Sequence, residues 1–434
     1  MLCIEIKECR SCGSKELHTV FSLGEQHIKD FLDDSSKEFP KAPLDLVLCR
    51  NCLLLQLKHT FNQDALYSRY WYRSGTSPTM VRALREITLV AEKKVKLSTS
   101  DIVLDIGSND GTLLSQYETH DITKVGFEPS NLWEEGSKKG ITVVHNYFNA
   151  KQFKQMFGER KAKIITSIAM FYDLQDPNSF VSDIKNCLHE EGLWIIQMNY
   201  LGLMFNNLGY DNICHEHLEY HSLISLEHLL SRHNFEVFDV ELNDVNAGSY
   251  RVYVKHKNSN LQSTEDGKRR VSDLLTKERQ KGFSTIKPYE EFATEIAKSR
   301  VELQALLSDL IKNNKTVFIY GASTRGLVIL EYAGVTKKEI PFATDKNSDK
   351  WGKVMAGTDI PIISLEKYRE MNPDYLLVLP YQYINEIAKQ EKDFLVKGGK
   401  MIIPLPHPKI IDSSYLLSLK DTDYTVFAPG YDRF

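Results

Sequence analysis

The amino-acid sequence predicts an α/β protein: two doubly wound units in series behind a small cysteine-rich module. Three observations carry that reading. From residue 86 onward, short apolar runs alternate with helical stretches; two of the runs end in a glycine-rich turn; and two C-x-x-C pairs stand near the start of the chain. Such alternation marks parallel strands joined by crossover helices. Over 434 residues, 42% apolar and 26% charged content excludes a chain dominated by disorder or low complexity. A net charge of −4 argues against a nucleic-acid partner. No run approaches the roughly 20 apolar residues that span a bilayer, and MLCIEIKECR does not read as a secretory signal. The expected address is the cytoplasm, with no membrane partner.

Residues 1–85 come first, rich in cysteine and aromatics and poor in helical periodicity. Cys9 and Cys12 form one pair, Cys49 and Cys52 the other, while Cys3, Cys187 and Cys214 stand apart. A C-x-x-C turn presents two sulfurs to one side of an ion, and four thiolates close a tetrahedral zinc shell with no position left for a catalytic water. The spacing predicts structural Zn2+. Buried reduced thiols or redox pairs are the competing readings. Chelation is then expected to loosen this module without touching the chemistry directly.

The first α/β unit is expected over 86–257. VRALREITLVAEKKV has helical spacing, and DIVLDIG, TKVGFEPS, GITVVHN, KIITSIAM and GLWIIQMNY read as strands. In VLDIGSNDGTLLSQY a strand enters a glycine loop and leaves as a helix. Gly107 and Gly111 let a ligand approach the backbone, and the helix start at Thr112 offers unpaired N–H groups. The spacing is D-x-G-x-x-x-G, not the G-x-G-x-x-G of dinucleotide binders. Asp105 sits at the strand end, and Glu128 ends the next strand about twenty residues on, where a carboxylate accepts both hydroxyls of a ribose. Asp110 adds a negative charge that suits a cationic sulfonium better than a pyrophosphate. A plain turn is the alternative.

This combination resembles the class I S-adenosylmethionine-dependent methyltransferases. The resemblance implies a Rossmann-like core in which Asp105, Gly107, Asn109 and Gly111 line the cofactor and Glu128 holds its ribose. Asn146, Tyr147 and Phe148 would flank the adenine, and Ala169 to Tyr172 would lie beside the methyl donor.

YDNICHEHLEYHSL follows the fifth strand and crowds Asp211, Cys214, His215, Glu216, His217, Glu219, Tyr220 and His221 into one segment. It is not a zincin helix, which would need histidine where Glu219 stands. Imidazole titrates near neutrality, so a histidine at the mouth of a cofactor site suits a general base. A polar loop of satisfied histidines and a second metal site are the alternatives.

Residues 258–312 are polar and helical, and read as a solvated linker. A second Rossmann-like unit is expected over 313–434, with KTVFIYGASTRG, EIPFATDK, DYLLVLP and GKMIIPLP as strands and a packed tail at the end. Ser323, Thr324 and Arg325 at a helix start could hold a diphosphate. Asp345 could meet a ribose and Lys346 a phosphate.

A cysteine-rich module, a methyltransferase core with HEH-x-x-Y, and a C-terminal domain with GASTRG together resemble the nucleotide-sugar C-methyltransferases of deoxysugar pathways, over nearly the whole chain. The resemblance implies S-adenosyl-L-methionine as cofactor and a nucleotide-diphosphate 4-keto-6-deoxy sugar as substrate. His217 would remove the C3 proton, with Glu216 beside it. Cys214, His215, Tyr72 or Tyr220 would donate to the developing oxyanion. An active-site tyrosine belongs in the connector YSRYWYRSGTSPTM, where Tyr72 is favoured and Tyr70 is second; Tyr67, Trp71, Arg73, Ser74 and Thr76 accompany them. Aromatic packing between domains is the alternative there. Arg251 is a further substrate candidate. Two departures stand out: Cys214 where the group has tyrosine, and Asp173 where it has histidine. Other readings are an O- or N-methyltransferase, an NAD-dependent sugar-nucleotide reductase and a zinc-held scaffold. A monomer or small homo-oligomer is expected.

Overall fold

The computed structural model describes residues 3–28, 31–33, 40–61 and 71–419. Its centre is a seven-stranded sheet in the order Thr142–Val144, Thr123–Phe127, Ile102–Ile106, Ala162–Ile168, Leu188–Asn199, Ser249–His256 and Phe235–Asn243. The first five run parallel, and Ser249–His256 opposes both its neighbours. Ile102–Ile106 is buried at every position, which is why it reads as one apolar run rather than an alternating one. The strand order departs in both directions from Ile102–Ile106. A ligand crevice opens at the carboxyl ends of the strands flanking such a switch point.

The second α/β unit repeats the logic. Five parallel strands lie in the order Lys400–Ile403, Tyr375–Val378, Val317–Tyr320, Ala343–Thr344 and Ile360–Ile363. Its switch point lies between Val317–Tyr320 and Tyr375–Val378, directly above the GASTRG turn.

The three parts are stitched through shared sheets. The N-terminal sheet of Leu17–His27, Lys41–Cys49 and Leu55–Leu57 takes its fourth strand, Glu219–Tyr220, from the HEH segment, with Glu219 opposite Gln56. In return Phe31–Leu32 extends the sheet of the second α/β unit, pairing with Val354–Met355.

Helix Pro78–Lys94 begins with Ser77 accepting a hydrogen bond from the Met80 N–H and Pro78 in its first turn. The expectation of a solvated linker over 258–312 is corrected. Helix Lys287–Lys312 buries Tyr289, Phe292, Ile296, Ser299, Leu303, Leu307 and Leu310, a stripe spaced at three and four residues. Phe292 stacks on Phe205 of the first unit at 4.3 Å and meets Phe21 of the N-terminal sheet edge-on at 5.7 Å. The helix is a keystone; its charges cover only the outer face.

Helix Glu265–Gln280 packs on Phe235–Asn243 and sends Glu278 into the core. That carboxylate accepts the N–H groups of Leu223 and Ile224 at 2.6 and 2.9 Å and the Tyr200 hydroxyl at 2.8 Å. It thereby closes the start of helix Leu223–Arg232. Glu278→Ala would strand two buried donors and one half-buried one, and we expect a loss of about 3 kcal/mol, read as a lower melting temperature. No helix among the described residues is long and apolar enough to cross a membrane. The expected tail from residue 420 onward lies outside the described residues.

Candidate active site

A cavity of about 1340 Å³ lies where the two switch points face each other beneath the 71–77 connector. Single-ligand sites commonly occupy about 300–1,000 Å³, so there is room for two ligands.

Asp105, Gly107, Asn109, Glu128, Phe148 and Ala169 line one side. Glu128 is aimed by two backbone donors, Asn109 N–H at 2.7 Å and Ser130 N–H at 2.9 Å. Asp105 accepts from the Thr166 hydroxyl at 2.6 Å, and burial pushes its carboxyl up to about 7. Gly107 has φ +70°, and a Cβ there would lie 3.3 Å from Met170 Cγ, inside the wall. Phe148 stands edge-on to Phe127 and Phe180. Tyr147 also lines the cavity, while Asn146 is off its wall.

Two loop residues do other work. Gly111 is away from the cavity wall: at φ +74° its Cβ would strike Ile141 Cδ1 at 2.7 Å and Gly136 Cα at 2.9 Å. Its glycine is needed for packing between loop and helix. Asp110 accepts from the N–H groups of Gly75 at 2.9 Å and Thr112 at 3.1 Å. The expected role of its charge beside the cofactor is therefore corrected to docking the connector. Asn109 completes that docking, accepting from Ser74 N–H and donating to the Tyr72 carbonyl. Tyr72 lines the cavity; Tyr70 and Tyr67 lie outside the described residues.

The HEH segment crosses between the two units. His217 Nδ1 lies 2.7 Å from the Asn212 carbonyl, so Nδ1 carries the hydrogen and Nε2 the lone pair. Burial first, then the Arg325 guanidinium, pulls its pKa down to about 3. That shift favours the neutral imidazole. Its ring packs 4.2 Å from that of Tyr172, and its nitrogen, the Cys214 sulfur and a Glu216 oxygen lie within 4.8 Å of one another. All three residues line the cavity, as does Asp173. Burial pushes the Cys214 thiol well up, leaving an S–H donor.

His215 is absent from the cavity wall, which counts against the expected substrate contact. The chain turns it onto the N-terminal sheet, where Nε2 meets the Ala42 carbonyl at 3.1 Å and the ring meets Phe61 edge-on. Burial pulls its pKa from 6.5 to about 4. A histidine held neutral stabilises the fold fully above 6.5 and less as pH falls toward 4, because only the unfolded chain gains the proton there. The melting-temperature gap between the native chain and His215→Gln is expected to narrow across that window. Tyr220 likewise faces inward, its hydroxyl donating to the His217 carbonyl at 2.9 Å.

From the second unit come Ser323, Arg325 and Lys346. Ser323 Oγ accepts from the Gly326 N–H and caps helix Thr324–Ala333. Arg325 binds Asp211 through Nε at 2.9 Å and Nη2 at 2.6 Å, and Tyr381 closes the ring by donating to Asp211 at 2.7 Å. Its expected diphosphate role is thus overlaid by an inter-unit clamp. Arg251 is corrected outright: 2% exposed, it donates to Gln197 within the first sheet and is off the cavity wall. Sequence reasoning missed Lys350, which lines the cavity while holding Asp345 at 3.1 Å. The charge run DKNSDK after a strand was its one signal.

The four N-terminal sulfurs form a separate centre. Cys9–Cys52 and Cys12–Cys49 are each 3.5 Å apart, and all four atoms lie within 4.8 Å. Tetrahedral zinc with bonds of about 2.3 Å separates its sulfurs by about 3.8 Å. The Gln56 amide donates to Cys9 Sγ at 3.2 Å, as a thiolate would require. The donor set fits zinc.

A core with this strand order, a glycine loop after its first strand and a carboxylate at the end of the second is a class I S-adenosylmethionine-dependent methyltransferase. Family models match the chain in order: a zinc binding domain over 9–67, a methyltransferase domain over 79–240 and a C-methyltransferase C-terminal domain over 244–406. The C-methyltransferase NovU of Streptomyces niveus is 30% identical over 418 residues, covering 95% of this chain and 98% of NovU. The chain belongs to this C-methyltransferase family. Among solved structures, the plantazolicin methyltransferase BpumL with SAH is 14% identical over 42% of this chain and 85% of its own, with a TM-score of 0.33. Magnesium protoporphyrin IX methyltransferase of Synechocystis PCC 6803 with SAH is 11% identical over 41% and 83%, also at 0.33.

Proposed function

We propose that the enzyme methylates C3 of a nucleotide-diphosphate-linked 4-keto-6-deoxy sugar. The observation that carries this reading is a neutral imidazole, lone pair on Nε2, on the wall shared by the glycine loop and the GASTRG helix. Carbon becomes a nucleophile only after losing a proton beside a carbonyl. His217 Nε2 takes the C3 proton, the C–H electron pair moves into an enolate, and C3 then forms the new bond to the methyl carbon. S-adenosyl-L-methionine supplies the methyl group and leaves as the neutral thioether. The Cys214 S–H and Tyr72 hydroxyl are the donors for the enolate oxygen. Ser323, Lys346 and Lys350 face the diphosphate, and Arg325 fixes the geometry between the units.

Glu128 and Asn109 hold the cofactor ribose in this reading. Glu128→Ala is expected to weaken S-adenosylmethionine binding about 10- to 100-fold with a smaller change in kcat at saturation, measured by calorimetry and initial rates. The reaction is tested with methyl-13C cofactor and a panel of 4-keto-6-deoxy sugar nucleotides. Carbon-13 coupling between the new methyl and a ring carbon supports the proposal. A label on oxygen or nitrogen overturns it in favour of O- or N-methylation.

A further inference from the structure

C-methylation leaves one proton behind in every turnover, and His217 must give it up before the next. The Arg325 guanidinium disfavours a lingering imidazolium, and His217 lines the cavity assigned to the substrates. Glu216 offers another way out, because it lines two cavities: the large one, and a second of about 20 Å³ behind it. That volume holds about one water molecule. Gln26 lines the small cavity, is 3% exposed, and its Nε2 has no hydrogen-bond partner. A buried amide left so costs about 1–3 kcal/mol, and one water there would satisfy it. On the far wall His27 Nδ1 meets Glu331 Oε2 at 2.9 Å, with side chains 14% and 9% exposed. Gly357 makes room for the pair: at φ +71°, its Cβ would fall 2.4 Å from His27 Nδ1.

We propose that the small cavity binds one water, and that Glu216, this water and the His27–Glu331 pair form the exit for the proton taken from the substrate carbon. The proposal rests on the C-methylation reading. The proton passes from His217 Nε2 to the Glu216 carboxylate, and from there to the water. The water hands on one of its own to the His27–Glu331 pair, which gives it to bulk solvent. No electron changes hands, and His217 and Glu216 return to their starting states. His27, Gln26 and Glu331 are positioning and relay residues; none lines the large cavity.

The test uses the zinc-loaded full chain with Gln26→Leu, which keeps the packing but removes the water's partner, and Glu331→Gln, which removes the charge. Rates are measured with S-adenosylmethionine and TDP- and GDP-linked 4-keto-6-deoxy sugars in light and heavy water. Each variant is expected to lower kcat about tenfold with KM within about twofold, and to raise the solvent isotope effect on kcat as proton release becomes limiting. Melting curves on the same samples establish folding. An unchanged kcat, or a fall in kcat with an unchanged isotope effect, overturns the relay alone. Failure of the native chain to turn over any of the sugar nucleotides overturns the C-methylation reading, and the relay with it.

Discussion

His217→Ala is expected to lower kcat by about a thousandfold or more while S-adenosylmethionine affinity stays within about twofold. The two readouts separate because the residues that serve them come from different elements. The wall proposed to hold the cofactor is built from the Ile102–Ile106 and Thr123–Phe127 strand ends, where Glu128 is held by the backbone of Asn109 and Ser130. His217 is held by the Asn212 carbonyl and the Tyr172 ring instead. An O- or N-methyltransferase, whose nucleophile is already electron-rich, would lose far less. His217→Gln offers a similar volume without a base and is expected to fail as severely, which separates proton transfer from packing. Initial rates and calorimetry on both variants read the result.

Removing zinc is expected to affect chemistry as well as stability, contrary to what the spacing of the cysteines alone predicts. The HEH segment continues straight into the N-terminal sheet: Leu57 N–H donates to the Leu218 carbonyl at 2.9 Å, and Glu219–Tyr220 pairs with Leu55–Leu57. Structural zinc contributes about 10–16 kcal/mol to the folding of small modules, so losing it releases the sheet that anchors the residue after His217. Cys49→Ser, on a fully buried cysteine at the end of strand Lys41–Cys49, is expected to lower the melting temperature steeply. It should also lower kcat more than about tenfold, with kcat following zinc content across partly chelated samples. Constant kcat per folded molecule down to zero zinc would mean that the module is only a scaffold.

What could be read from the sequence was local. The glycine loop, the carboxylate one strand later and the paired C-x-x-C turns each encode their geometry within a few residues, and the structure brings Asp105, Gly107 and Glu128 onto one wall. Orientation within a dense segment was not local. Nothing in CHEH says that His215 turns onto Ala42 while Cys214, Glu216 and His217 face the cavity; that depends on a sheet whose other strands lie some 160 to 200 residues earlier. Arg251 and Arg325 show the same limit. Each was expected to contact the substrate, and each is claimed by a distant partner, Gln197 and Asp211. Helix Lys287–Lys312 misled for another reason: its charged face dominates composition, whereas its buried stripe shows only when counted at helical spacing.

The central claim, that His217 ionises a sugar carbon inside the cleft between the two units, is tested most directly by isotope loss from the substrate. A C3-deuterated 4-keto-6-deoxy sugar nucleotide is incubated with the enzyme and S-adenosylhomocysteine, so that no methyl transfer competes, and C3 is followed by proton NMR. The native chain is expected to exchange the deuterium for solvent hydrogen, and His217→Ala to retain it. Equal exchange by both proteins, or methylation that leaves the C3 deuterium in place, would contradict the account.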